Sequence, residues 1–201
     1  MNTIHSQMAR MASIPLALIL LFTFVAAMIG QAPYRVGGSP SLTLYGTSTL
    51  HDWTMTSHSF TANGEFTVTP DNQLATLNML TVTLPVHNLK SEHSGMDDNA
   101  YETLKADDYK NILFKLTSAT VTPGGGNKYQ IAAAGNLTIA NVTKPITLNA
   151  NGVLNADGSL SVSGTVSLML SQFNIERPSF MLGTMKVGDA LKLNYSLIFV
   201  K

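Results

Sequence analysis

The sequence predicts an all-β domain: an antiparallel barrel of about eight strands with one short helical segment near 94–106. Three observations predict it. From Leu42 onward apolar residues recur every second position, the period of a strand with one buried and one wet face. Clusters of Pro, Gly, Asn and Asp separate the alternating runs at hairpin spacing. Finally, 45% of the 201 residues are apolar and only 12% are charged, about half the usual charged share. Thr, Ser and Asn take the place of the missing charge on the outer faces.

The chain opens with a different kind of segment. Residues 1–13 contain His5 and Arg10 but no acid, and Ile14 to Ile29 is almost wholly apolar. Val25-Ala26-Ala27 supplies small residues where a signal peptidase requires them, so 1–27 reads as a secretory signal cleaved after Ala27. The run is shorter than the roughly 20 residues of a membrane-spanning helix. Export across an inner membrane and a periplasmic location are therefore expected, with the folded domain over 34–201. Without the leader, 11 basic and 12 acidic residues remain. That balance offers no basic face for nucleic acid. With no Cys, disulfides and thiolate chemistry are excluded.

The strands are expected at roughly 41–50, 58–69, 74–87, 112–122, 128–140, 144–154, 159–171 and 190–200. Phe60, Ala62, Gly64, Phe66 and Val68 share one face. Tyr129, Ile131, Ala133, Gly135, Leu137 and Ile139 form a second inner row. Leu160 to Leu170 and Leu191 to Phe199 alternate in the same way. Turns fall at Pro70-Asp71-Asn72, Pro123 to Asn127 and Ala156-Asp157-Gly158. Eight strands joined by hairpins close on themselves and leave no edge. Two segments break the alternation. In Ser91 to Asp108, Met96, Ala100 and Leu104 share a helical face, and Ser94 followed by Asp97 has the spacing of a capping pair. This segment is expected against the barrel mouth. Asn174 to Asp189 is a long loop, of the kind that carries function.

The inner rows contain small residues in series: Ala62 and Gly64, Ala133 and Gly135, Ala150 and Gly152, and Gly164. Either the space beside them is a cavity, which would bind an apolar molecule, or glycine eases curvature and aromatic rings fill the space. The pattern alone leaves both open.

Four stretches, in this order and spacing, resemble the YceI-like family of bacterial lipid-binding proteins. They are Gly46 to Trp53; Leu89-Lys90-Ser91 with Met96-Asp97, Leu104 and Tyr109 to Phe114; Tyr129 with Gly135 to Ile146; and Phe173-Asn174-Ile175 with Lys186 to Asp189. Asn111 stands where the family often has Pro, and Asn141 where it often has Gly; both suit turns. The resemblance implies a lipocalin-like extended barrel whose apolar cavity accepts an isoprenoid chain or other long-chain lipid. On that reading the protein binds, transports or stores the lipid, with transient contact with a membrane surface. Trp53, Phe60, Phe66, Phe114, Tyr129, Leu137, Phe173 and Phe180 are the candidate tail contacts. Arg177 and Lys186 in the long loop are candidates for meeting a head group.

No catalytic residue, metal site or cofactor is expected. His51, His58, His87 and His93 lack the i, i+2 or i, i+4 spacing of a ligand pair. Gly46-Thr47-Ser48-Thr49-Leu50 lacks the second Gly of a nucleophile elbow, and Gly124-Gly125-Gly126 lacks the Lys and helix of a phosphate loop. Two alternatives stand beside the carrier. One is an enzyme acting on such a lipid through His51, Asp52 or His93. The other is an interaction module with a filled barrel and a partner on the 174–189 loop.

Overall fold

The structure, a computed structural model, describes residues 31–180 and 183–201. The expected leader at 1–27 lies outside the described residues, as do Met181 and Leu182. The strands are β1 (Gln31–Gly46), β2 (Trp53–Ser57), β3 (Thr61–Val68), β4 (Leu74–Pro85), β5 (Asn111–Pro123), β6 (Lys128–Ile139), β7 (Val142–Leu154), β8 (Leu160–Met169), β9 (Ser179–Phe180), β10 (Met185–Lys186) and β11 (Ala190–Val200). Among the described residues there is one α-helix, α1 (Ser94–Thr103), and two 3-10 turns, at Val86–Asn88 and Leu170–Phe173.

Sheet order runs β11-β8-β7-β6-β5-β4-β3-β1-β2, and β1 also pairs with β11, which closes the barrel. All pairs are antiparallel. Eight strands form the wall, as the periodicity predicts. The lower part of β1 pairs with β3 and the upper part with β2 (Gln31↔Thr67, Leu42↔Ser57). β2 and β3 are thus two halves of one wall strand, broken at 58–60.

β1 begins ten residues before the strand start read from the sequence. Pro33, Gly37-Gly38 and Pro40 hide its alternation, and the chain accommodates them with a register shift between Gly37 and Ser41. Gly38 takes φ +65 there, which only glycine does freely. α1 is shorter than the segment expected near 94–106. It stops where Lys105 adopts φ +52, a conformation that cannot continue a right-handed helix.

The barrel has a packed lower end and a hollow upper end. At the lower end Tyr34 meets Phe66 edge-on at 5.2 Å, and Phe66 meets Phe199 at 5.1 Å. Tyr129 and Phe66 are each 1% exposed. The Tyr129 hydroxyl accepts from Leu74 N at 3.1 Å and donates to Gln73 Oε1 at 3.0 Å, so the phenol is buried with its polar end satisfied.

Glycine does not make the cavity. A Cβ at Gly64 would fall 2.7 Å from the Phe66 ring, one at Gly135 2.5 Å from Phe114, and one at Gly164 2.3 Å from the Tyr195 hydroxyl. Aromatic side chains lie close against these glycines, so the space beside them is filled. None of the small residues singled out in the sequence lines the large cavity above them.

Candidate functional site

The upper half of the barrel encloses a cavity of about 560 Å³. Its walls are the inward rows of the strands: Leu42 and Leu44 from β1, Val82 and Leu84 from β4, Val166 and Leu168 from β8, and their counterparts around the ring. Among the described residues no Asp, Glu, Lys or Arg lines it. Its polar side chains are His93, Asn99 and Thr103 in the roof and Ser48 and His51 in the β1–β2 turn at the roof's rim, together with Trp53 and Tyr195, whose polar hydrogens are already engaged.

The roof has two parts. α1 turns Met96 and Ala100 toward the cavity, as the helical spacing predicts, and Leu104 joins them. The loop after β8 adds Phe173, Ile175, Pro178, Met185 and Val187. Both parts are fastened. Lys90 and Thr56 exchange two backbone bonds at 2.7 and 2.8 Å, and Tyr101 donates its hydroxyl to the carbonyls of Leu89 and His87. Thr49 N donates to Lys186 O at 3.0 Å, and Gly188 N to Thr47 O at 2.8 Å.

Two carboxylates hold the ends of these roof segments. The expected Ser94–Asp97 capping pair does not form: His93 is the N-cap, with no side-chain cap. Asp97 reaches back instead, accepting from Ser91 N at 2.6 Å and Ser91 Oγ at 2.8 Å, with Lys90 Nζ at 3.5 Å. Burial alone would raise its pKa. The Ser91 bonds and the Lys90 charge outweigh that and hold it below the ordinary carboxylate value. Asp189 accepts from the hydroxyl and amide of Ser171, which lowers its pKa in the same way and ties the two ends of the 170–189 loop together.

Of the residues singled out in the sequence, Trp53, Phe60, Phe114, Leu137 and Phe173 line the cavity. Trp53 folds over Gly46 and donates Nε1–H to Thr47 O at 3.0 Å. Phe66 and Tyr129 belong to the packed lower end and do not line it. Phe180 is placed by its backbone in β9, and its side chain lies outside the described residues. Arg177 and Lys186 are exposed on the outer surface of the loop and do not line the cavity. His51 and His93 both line the cavity, whereas Asp52 does not. His51 Nδ1 donates to the backbone carbonyl of Asp52 at 2.8 Å, so the Asp52 carboxylate does not orient the imidazole. Sequence reasoning missed most of the lining, including Leu148, Leu193 and Tyr195. Its signal was the same alternation that predicted the strands, since an inward residue high on a wall strand faces the lumen.

The sequence matches the YceI-like domain over residues 40–199. No curated protein matches it. Three solved structures share the fold. BcnA of Burkholderia cenocepacia is 18% identical with a TM-score of 0.62, over 79% of this chain and 95% of that one. A polyisoprenoid-binding domain from Saccharophagus degradans, implicated in plant cell wall breakdown, is 8% identical with a TM-score of 0.63, over 85% and 98%. The YceI protein of Campylobacter jejuni is 20% identical with a TM-score of 0.51, over 70% and 81%.

Proposed function

The chain belongs to the YceI-like family, and from that premise we propose that it is a non-enzymatic carrier that binds an isoprenoid-type lipid inside the barrel. The observation that carries the reading is the cavity of about 560 Å³ with apolar walls and no ionised lining residue. Burial of an apolar chain there is favourable by about 25 cal/mol per Å². The polyisoprenoid-binding neighbour from Saccharophagus degradans supports the ligand class. Trp53, Phe60, Phe114, Leu137 and Phe173 contact the tail. The polar roof and rim of His51, His93 and Asn99 receive an uncharged head group, because an anion placed there would find no cation. Arg177 and Lys186, outside the cavity, meet only a head group that projects beyond the roof.

The leader supports export to the periplasm, where the protein would store the lipid or move it between membranes, touching their surfaces in passing. An open cavity argues against an interaction module with a filled barrel. Orientation of His51 by a backbone carbonyl argues against a carboxylate–histidine acid–base pair.

Native mass spectrometry and solvent extraction of the purified protein test the reading, with Trp53, the only Trp, as a fluorescent reporter. A co-purifying prenyl lipid, or saturable uptake of geranylgeraniol, is expected. Neither being found would refute it. Cell fractionation with N-terminal sequencing tests export, and a cytosolic chain that keeps residues 1–27 would refute that part.

A further inference from the structure

We infer that lipid enters and leaves through a slit in the barrel wall between the upper halves of β7 and β8, not through the roof. The inference rests on the carrier reading. The β7–β8 ladder runs from Leu154↔Leu160 up to Ala150↔Gly164 and stops. Both strands continue beyond that point. β7 stays paired with β6 up to Val142, and β8 with β11 up to Met169. Residues 142–149 and 165–169 therefore flank a seam with no ladder between them, and the 3-10 turn Leu170–Phe173 comes against β7 beside it.

The seam leads into the cavity. Ile146 and Leu148 line it on one flank, and Val166 and Leu168 on the other. Met169 follows Leu168 and by alternation faces outward, and it is 49% exposed. Yet it too lines the cavity, so the lumen reaches the outer surface at this edge. A second unpaired seam, between the lower parts of β4 and β5, gives a contrast. It lies beside the packed lower end, where the void lined by Phe66, Leu77 and Leu80 is about 40 Å³.

The end of the ladder is built, not frayed. Tyr195 crosses Gly164 and donates its hydroxyl to Asn149 O at 3.0 Å, occupying the first carbonyl beyond the last strand pair. Pro145 lies in the splayed part of β7, a residue that sheets confine to edges because it has no N–H to donate. The roof, by comparison, is latched by the Lys90–Thr56 and Thr49–Lys186 backbone bonds. Opening it breaks hydrogen bonds; widening the slit breaks none in the ladder. A tail moving sideways through the slit also keeps apolar surface beside it along its length, whereas end-on passage through the roof exposes it to water.

The chain has no Cys, so a paired substitution can be joined cleanly. Thr147→Cys with Ser167→Cys places two outward, exposed positions opposite one another across the slit, where continued register would put them. A short bis-maleimide then ties the flanks. The control pair, Asn151→Cys with Ser163→Cys, bridges strands that are already paired. Each protein is mixed with phosphatidylcholine vesicles carrying geranylgeraniol, and uptake is followed through Trp53 and native mass spectrometry. The slit cross-link is expected to slow uptake roughly tenfold or more, as when a gate is held shut, with the same occupancy at equilibrium. The control cross-link and singly labelled variants are expected to fill at the parent rate. A slit-linked protein that fills as fast as the parent overturns the portal and leaves the carrier intact. A parent that takes up no geranylgeraniol overturns the carrier reading and the portal with it.

Discussion

Replacing Gly164 by Ala tests whether the wall is built around Tyr195 as the structure shows. The added Cβ would lie 2.3 Å from the Tyr195 hydroxyl and 2.5 Å from Asn149 O. The hydroxyl belongs to a side chain and can swing away, losing its bond to Asn149. The carbonyl belongs to β7 and cannot. Overpacking of this kind costs about 1–3 kcal/mol, and the lost hydrogen bond about 1 kcal/mol more. Against this, Ala restricts the unfolded chain and recovers about 0.4–1 kcal/mol. The net loss is roughly 1–3 kcal/mol, or roughly 3–10 °C in Tm for a domain of this size. Tyr195→Phe removes only the hydrogen bond and should lower Tm by about 2–4 °C. In the double variant the bond is lost once, so the two effects should fall short of additivity by about 1 kcal/mol. Thermal unfolding by circular dichroism of the ligand-free parent, both single variants and the double variant checks this. A Gly164→Ala protein as stable as the parent, or strict additivity, would refute the placement of the ring over the glycine.

Two further predictions concern pH. Burial pushes the Tyr195 phenol from its ordinary 10.0 up to about 12. Because the folded value lies above the unfolded one, its contribution is intact below pH 10.0 and is lost as pH rises toward about 12. Tyr195→Phe should flatten the stability profile across that window, and an unchanged profile in alkaline denaturation would refute it. Asp97 has the opposite sign. Its folded pKa lies below 3.8, so its contribution is present above that pH and is lost as pH falls through the folded value. Below pH 3.8 the Ser91 amide, which donates to Asp97, should lose hydrogen-exchange protection, and Asp97→Ala should show that loss already at neutral pH. Equal protection in variant and parent would sink the idea.

The wall was legible because burial alternates with a period of two whatever the neighbours do. Leu160, Val162, Val166 and Leu168 declared β8 without any knowledge of its partners. β2 was not legible. Its five residues read as a gap between two longer runs, and only pairing with β1 makes them a strand. The small-residue rows left two readings open, and the filled one holds at Gly64, Gly135 and Gly164: each is covered by a ring from its own or an adjacent strand. The real lumen lies where ordinary Leu, Ile and Val face one another across too great a width to touch. Sequence records which way a side chain points and not how far away the opposite wall stands. The β7–β8 seam was hidden in the same way, although Pro145 inside a strand pattern was its trace.

The width of that lumen has an energetic consequence. Residual voids in packed cores destabilise in proportion to their volume, and an apolar lumen of about 560 Å³ left without an occupant carries a cost of the same kind. Water does not relieve it well. Its partners are confined to the roof and its rim, the Trp53 Nε1–H is given to Thr47, and the Tyr195 hydroxyl is given to Asn149. An apolar occupant fills the space without needing partners, so occupancy and folding should be linked. At a hundred times its Kd such an occupant adds about 2.7 kcal/mol, or roughly 5–11 °C in Tm for a domain of this size. Delipidated protein should melt lower than protein as purified, and geranylgeraniol should restore the difference in a dose-dependent way. A melting temperature indifferent to extraction and to refilling would mean that the cavity collapses or hydrates at little cost, and the link between occupancy and folding would fall.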